Sequence, residues 1–232
     1  RLADGLAIAA AAAFLILPLG MVAARGLPGL FNLPAEVWPA LGRSFAVALP
    51  SAVLSVGGAM TLALASPRFG LVATLPLAVS SLVLGTGLFL VAHPFVNPER
   101  LALAVTMLVN ATLSLPFAYR ILAPEARALQ ADFGRLAETL DLRGLARLRW
   151  LILPRLRRPL GFSLGVSAAL AMGDLGVIAL FADEGGATLP LLVQRLMGAY
   201  RMEQAAGAAL VLVLASFSLF WLFDRGGRHA SS

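Results

Sequence analysis

Asp174 is the residue of this chain whose surroundings most invite a chemical reading. It is the one carboxylate inside an apolar stretch long enough to cross a bilayer, and it stands between Gly173 and Gly176. A carboxylate in hydrocarbon is costly and as a rule faces a cavity or a partner, so it marks a site for a cationic solute. The competing role is local: a hydrogen-bonded group at a helix break that meets no substrate. Asn110 puts a second strongly polar side chain into another such stretch, with Thr106, Thr112 and Ser114; Ser80, Ser81 and Thr86 do so in a third. Hydrogen bonds between helices account for these groups, and the lining of a solute path is their other use. Catalytic chemistry finds less support. His93 with Asn97, and Ser167 after Gly165, are residue types of serine-type hydrolysis, but His93 closes a span and the other histidine, His229, lies in the tail. Two distant histidines without cysteine make no metal-ligating set. The chain reads as a non-enzyme that carries no cofactor.

The elements that must position these residues follow from composition. Of 232 residues, 59% are apolar and 13% charged, and the mean hydropathy is +0.88. A soluble domain carries about 25% charged residues, so the balance excludes one, along with disorder and an ordinary nucleic-acid module. Every one of the 18 basic residues is arginine. A GxxxxGK[ST] phosphate loop needs lysine, so the chain builds no nucleotide motor of that kind by itself. Six apolar stretches, Leu6–Ala24, Phe45–Ala65, Leu71–Ala92, Leu101–Tyr119, Leu160–Phe181 and Ala205–Phe223, approach the about 20 residues that a spanning helix needs. Their apolar character is continuous rather than alternating, which excludes a barrel. The expected fold is therefore all-α, a polytopic membrane bundle of six spans. Counting arginines on alternating connections places Arg25, Arg43, Arg100, Arg195 and Arg201 on one side and the other thirteen on the opposite side. The positive-inside rule then gives N-in and C-in.

Prolines 18, 50, 76 and 116 fall inside spans, where neighbouring helices can satisfy the freed backbone groups. Gly161 and Gly165 have the small-xxx-small spacing of a close helix contact, read first as internal packing. Residues 123–159 form the one long polar connection. Pro124 and Glu125 suit a helix start, and Ala126, Leu129, Phe133, Leu136 and Leu140 repeat at steps of three and four, one face of an amphipathic helix. Gly144 suits a left-handed turn, and a basic run to Leu153 follows, closed by Pro154. A topogenic loop lying on anionic lipid explains the arginines. It does not explain helix, turn and helix, which suit a docking element for another protein. On the far side, Asp183–Gln204 holds a Gly185-Gly186 turn and a helix-like stretch, Leu189–Tyr200, too short to span. It reads either as a re-entrant or interfacial helix of an outer gate or as a solvated connector.

Two stretches carry a family resemblance. Glu138-Thr-Leu-Asp-Leu-Arg-Gly144, then Arg147, Leu153-Pro154 and Arg157-Arg158-Pro159, resembles the cytoplasmic loop of the permease subunits of ABC importers. Met172-Gly-Asp-Leu-Gly-Val-Ile-Ala-Leu-Phe181, Thr188-Leu-Pro190 and Gly198-Ala-Tyr-Arg201 look like the final part of bacterial thiamine and thiamine pyrophosphate importer permeases. In that family one chain carries two copies of a six-span unit, so the resemblance, with the missing initiator methionine, implies that a first half is absent from this one. It implies a type I, MetI-like permease of the bacterial inner membrane, with a first span and outer loop at 1–43, the permease unit at 44–223 and a cytoplasmic tail at 224–232. It implies coupling to separate ATP-binding cassette subunits through Glu138, Asp141, Gly144, Arg147 and Pro154. Asp174 and Asn110 then line the solute path, while Asp183, Glu184, Arg195 and Arg201 meet a periplasmic substrate-binding protein. The other implied partners are a second permease half and membrane lipid, with no nucleic acid. The solute is thiamine or a thiamine phosphate; iron(III), a polyamine or another small solute is the alternative, and a secondary transporter or intramembrane enzyme is the alternative of another class. A secondary transporter calls for several intramembrane ionisable groups, and only Asp174 qualifies.

Overall fold

Long uncharged runs of Ala, Leu and Val satisfy their backbone groups within one segment only as helices. The computed structural model, which describes residues 2–92, 94, 98–182 and 185–229, is helical accordingly, and no strand occurs among the described residues. The long helices are α1 (Leu2–Gly29), α2 (Val37–Ala65), α5 (Pro98–Thr139), α8 (Arg157–Gly173) and α11 (Met202–His229). Between them lie the shorter α3 (Gly70–Thr74), α4 (Ser81–Ala92), α6 (Gly144–Arg147), α7 (Leu153–Arg155), α9 (Ile178–Phe181) and α10 (Leu189–Gly198). Four segments are long and apolar enough to cross a membrane: Asp4–Asn32, Val37–Ala65, Leu101–Thr139 and Met202–Arg228. A fifth arises if the pair Gly70–Ala78 and Ser81–Val91, bent by 91°, counts as one broken span. The protein is thus an all-helical, membrane-embedded chain.

α8 is the centre of the bundle, held against α2, α5 and α11. Its contact with α11 is backbone to backbone. A Cβ on Gly161 would lie 2.6 Å from the Phe223 carbonyl oxygen, and one on Gly165 2.9 Å from that of Phe220. Gly227 answers from α11, and Phe162 meets Phe220 edge to face at 5.6 Å between ring centres. The Gly161–Gly165 spacing therefore serves internal packing. Polar contacts add to the packing: Asn110 Nδ2 donates to the Ala171 carbonyl of α8 at 3.3 Å, and between α2 and α5 the Ser51 hydroxyl is shared by the Val47 carbonyl at 2.7 Å and the Met107 carbonyl at 3.0 Å. The Ser55 and Ser167 hydroxyls face each other at 3.5 Å. Helix contacts in hydrocarbon rely on such small residues and short hydrogen bonds. α1 crosses α11 where Gly26 and Gly29 meet Ala206, Gly207 and Leu210, and elsewhere it is open, Phe14 being 79% exposed.

Three sequence expectations differ. The stretch Leu71–Ala92 is not one helix. Pro76 sits in a 3-10 turn (Leu75–Ala78), Val79 is extended, and Ser80 starts α4 by accepting the Val83 amide on Oγ at 3.3 Å. The stretch Leu160–Phe181 stops at Gly173 and resumes as α9, because Asp174 leaves helical geometry at φ −75°, ψ 130°. Conversely, α5 does not end near Tyr119 but runs 42 residues through Pro116 and Pro124. An interior proline costs about 3 kcal/mol; the burial of Leu122, Ala123, Ala126 and Leu129 against the end of α2 and the residues after α6 holds the helix through it. Most intramembrane hydroxyls are also not interhelical. Those of Thr86, Thr106, Thr112 and Ser114 donate to carbonyls four residues back on their own helix.

The glycine contact predicts opposite outcomes at two positions. Gly161→Leu lowers stability by about 3 kcal/mol or more, since the clash is with backbone that cannot rotate away. Gly57→Ala, where a Cβ meets nothing within 4 Å, is neutral or gains up to about 1 kcal/mol from helix propensity. Thermal unfolding in detergent separates the two.

Candidate functional site

Asn110 and Asp174, distant in sequence, line one cleft of about 170 Å³ between α5 and α8, with Ser114 and Phe117 from α5 and Leu170 and Ala171 from α8. Their convergence follows from the early end of α8: the helix stops level with Asn110, and its last residues face that side chain. Asn110 is 3% exposed. Its nitrogen serves the Ala171 carbonyl, and its Oδ1 is buried without a partner. Asp174 turns Oδ1 to the Gly176 amide at 3.4 Å and leaves Oδ2 buried and unpartnered. Two orphaned oxygens thus lie at one cleft, beside the negative dipole end of a 17-residue helix.

The second constellation is the corner after α5. Asp141 takes a left-handed conformation (φ 50°); its amide donates to the Glu138 carbonyl at 3.1 Å and the Leu142 amide to that of Ala137 at 2.8 Å. This is a Schellman close, with Asp141 in the place that glycine usually fills. Gly144 is left-handed as well (φ 52°), so Glu138, Asp141 and Gly144 share one tight exposed turn. Arg143 pairs with Asp141 at 2.7 Å, an exposed contact worth at most about 1 kcal/mol. The chain then returns as α6, a widened π-turn (Leu148–Ile152) and α7. Ile152 and Leu156 pack on Ala126 and Leu129, and the Arg155 guanidinium lies 4.4 Å over the Phe133 ring. Arg147 is half-buried along this return, its Nε without a partner. Pro154 does not close the helix as expected. The Leu153 amide reaches back to Leu148, and helical bonding resumes with Leu156 donating to Ile152 at 2.9 Å. The wider turn gives the proline ring room against the preceding carbonyls. The amphipathic stripe also shifts: Ala137 is buried, while Leu136 and Leu140 are exposed with Leu145 (81%) and Trp150 (70%).

The third constellation lies at the other end. α10 is no solvated connector, for Leu189, Leu191, Leu192 and Leu196 are buried, several of them against Val37 and Ala40 of α2. Ser44 Oγ accepts the Leu189 amide at 2.8 Å, and Arg43 Nε donates to the Ala187 carbonyl at 2.8 Å. Arg195 is half-buried, one guanidinium nitrogen 3.5 Å from the Ala182 carbonyl oxygen, whereas Arg201 is exposed. Asp183 and Glu184, like His93 and Asn97, lie outside the described residues. Among the described residues no group of three or more His, Asp and Glu side chains gathers to hold a metal.

No family model matches the chain. Curated proteins do. It is 34% identical over 239 residues to the thiamine transport system permease protein of Brucella abortus, an alignment covering 97% of the chain and 44% of that protein. The corresponding protein of Salmonella typhimurium is 33% identical over all of the chain and 46% of its own length. That of Escherichia coli is 31% identical over 97% of the chain and 45% of its own length. The chain is similar to these permeases over nearly its whole length. It spans somewhat under half the length of these relatives and matches their C-terminal part.

Two features of this chain escaped a reading from residue types. Ser44, not the adjacent Thr188, caps α10, which no local pattern announces. Tyr200 is left-handed (φ 57°) and 88% exposed, closing α10 through the Arg201 amide to the Leu196 carbonyl at 2.9 Å. A helix followed by a polar turn was the available signal, but a tyrosine there runs against preference. Left-handed backbone costs a side-chain-bearing residue about 1–2 kcal/mol. Tyr200→Gly and Asp141→Gly therefore hold or raise the unfolding temperature in detergent, whereas Asp141→Val lowers stability by about 1–2 kcal/mol.

Proposed function

We propose that this chain is the C-terminal permease portion of an ABC importer that carries thiamine or its phosphate esters across the bacterial inner membrane. The observation that carries the reading is the alignment of nearly the whole chain with proteins named for thiamine transport. In this reading the bundle is a type I, MetI-like unit of six spans, with the bent α3–α4 pair and α8 with α9 as the third and fifth. Residues 44–223 are the permease unit, 224–232 the cytoplasmic tail, and the arginine asymmetry sets both termini inside. A second permease half, fused or separate, completes the path.

The corner at 138–154 is the docking element for a separate ATPase subunit. Its support is physical. A left-handed turn at Asp141 and Gly144 is anchored by a packed helical return, and it presents Leu140, Leu145 and Trp150 to the surroundings. Exposed apolar side chains on a rigid corner suit a protein groove. Arg201 and Tyr200, beside Glu203 and Asn32, offer a mixed polar and aromatic face to a periplasmic binding protein. Asp174 and Asn110 line the path. The chain does no chemistry on the solute.

The test is complementation. A bacterium lacking its thiamine permease, given the gene that contains this chain with its ATPase and binding-protein partners, recovers uptake of labelled thiamine. Gly144→Val, whose branched side chain does not tolerate φ 52°, still inserts yet loses most of that uptake and no longer raises ATP hydrolysis in response to loaded binding protein. No thiamine uptake by the unsubstituted protein rejects the solute, and full uptake by Gly144→Val rejects the docking corner.

A further inference from the structure

The polar atoms left unanswered in the α5–α8 cleft are of one kind. Because the Ala171 carbonyl can only accept, the Asn110 atom facing it is the amide nitrogen, and the oxygen is the one turned loose. The Ser114 hydroxyl spends its hydrogen on the Asn110 backbone carbonyl at 2.7 Å. Asp174 adds a carboxylate oxygen, and the C-terminal end of α8 adds the negative end of its dipole. No arginine lines the cleft to balance this negative character. A buried acceptor without a donor is costly, and two of them at one opening amount to a site awaiting N–H groups and positive charge.

Size and shape narrow the ligand. The cleft's roughly 170 Å³ is many times what a single water needs, enough for one flat ring with its substituents. Phe117 supplies an aromatic wall, which favours a cation over its face. A hard metal ion seeks about six oxygens, more than the two free here. A phosphate would meet Asp174 at like charge.

We propose that this cleft holds a flat, N–H-bearing ring of a cationic solute in passage. Asp174 opposes the solute's charge, Asn110 Oδ1 accepts the ring's N–H, and any phosphate tail stays outside. The passage of a solute and its identity rest on the importer reading above. A thiazolium joined to an aminopyrimidine carries the charge on one ring and the N–H donors on the other; a flat amidinium carries both on one group.

The full-length permease containing this chain, in lipid nanodiscs, is titrated with thiamine, thiamine pyrophosphate and benzamidine, the last an amidinium unrelated to thiamine. Thiamine and benzamidine bind, and the pyrophosphate binds more weakly. Asp174→Asn weakens both cations about tenfold or more, as loss of the opposed charge does, and Asp174→Glu recovers part of the affinity. Leu170→Trp fills the cleft and abolishes binding with the carboxylate intact, and it decides the matter should Asp174→Asn fail to assemble. Benzamidine binding with the same variant pattern but no thiamine binding keeps the cleft and rejects thiamine as the solute. Binding of neither cation, equal binding by wild type and Leu170→Trp, or tighter binding of the pyrophosphate overturns the proposal.

Discussion

A helix in hydrocarbon gains little by hiding apolar side chains from lipid, so α8 is held by close contact and by hydrogen bonds. Gly161, Gly165 and Gly227 let its backbone touch that of α11, and Asn110 takes one of its last carbonyls. The first grip seats the early turns of α8, and the second meets the helix where it stops at Gly173. Had the helix continued past Gly173, the Ala171 carbonyl would have bonded within the helix and Asn110 would have had nothing to reach. The cleft, its orphaned oxygens and the turn to α9 all descend from that single termination. The break itself is made at Asp174, and the asparagine across the gap gives it something to hold.

Much of this architecture is legible in the residues. The existence and placing of α1, α2 and α11, though not their full lengths, the short apolar helix α10, the glycine contact and the left-handed Gly144 follow from local chemistry. What escapes such a reading is the balance between a local signal and its neighbours. Pro124 carries every mark of a helix start, yet the α5 helix passes through it, because Leu122 and Ala126 on either side are already buried. Pro76 carries the same mark and does end its segment, since the residues around it pack more sparsely and Ser80 offers a fresh start. The proline is identical; the packing decides. The site was legible in part. Asp174 and Asn110 stand out as polar groups in apolar surroundings, but their meeting needed the fold. Arg195 reads as a surface charge and is instead half-buried at a carbonyl, a distinction that the sequence near it does not encode.

Strain gathers at the two exposed corners rather than in the bundle. Asp141 and Tyr200 are the non-glycine residues with positive φ among those described, and each closes a helix with the same pair of backbone bonds. Such closures turn the chain sharply without a long loop. The cost is small against the packing on both sides, and it leaves each corner with one defined shape. A surface of fixed shape loses less freedom on meeting a partner than a loop does.

The unbroken course of α5 has a mechanical consequence. Forty-two residues of helix measure about 63 Å along the axis, so one rod joins the cleft at Asn110 to the corner beyond Thr139. Some 29 residues, about 44 Å, separate those two points. A swing of about 5° pivoting at Asn110 would carry the distal tip close to 4 Å sideways, a stroke comparable with a helical turn. Small rotations at one extremity thus become ångström-scale travel at the other, with no joint between to absorb them except the two prolines.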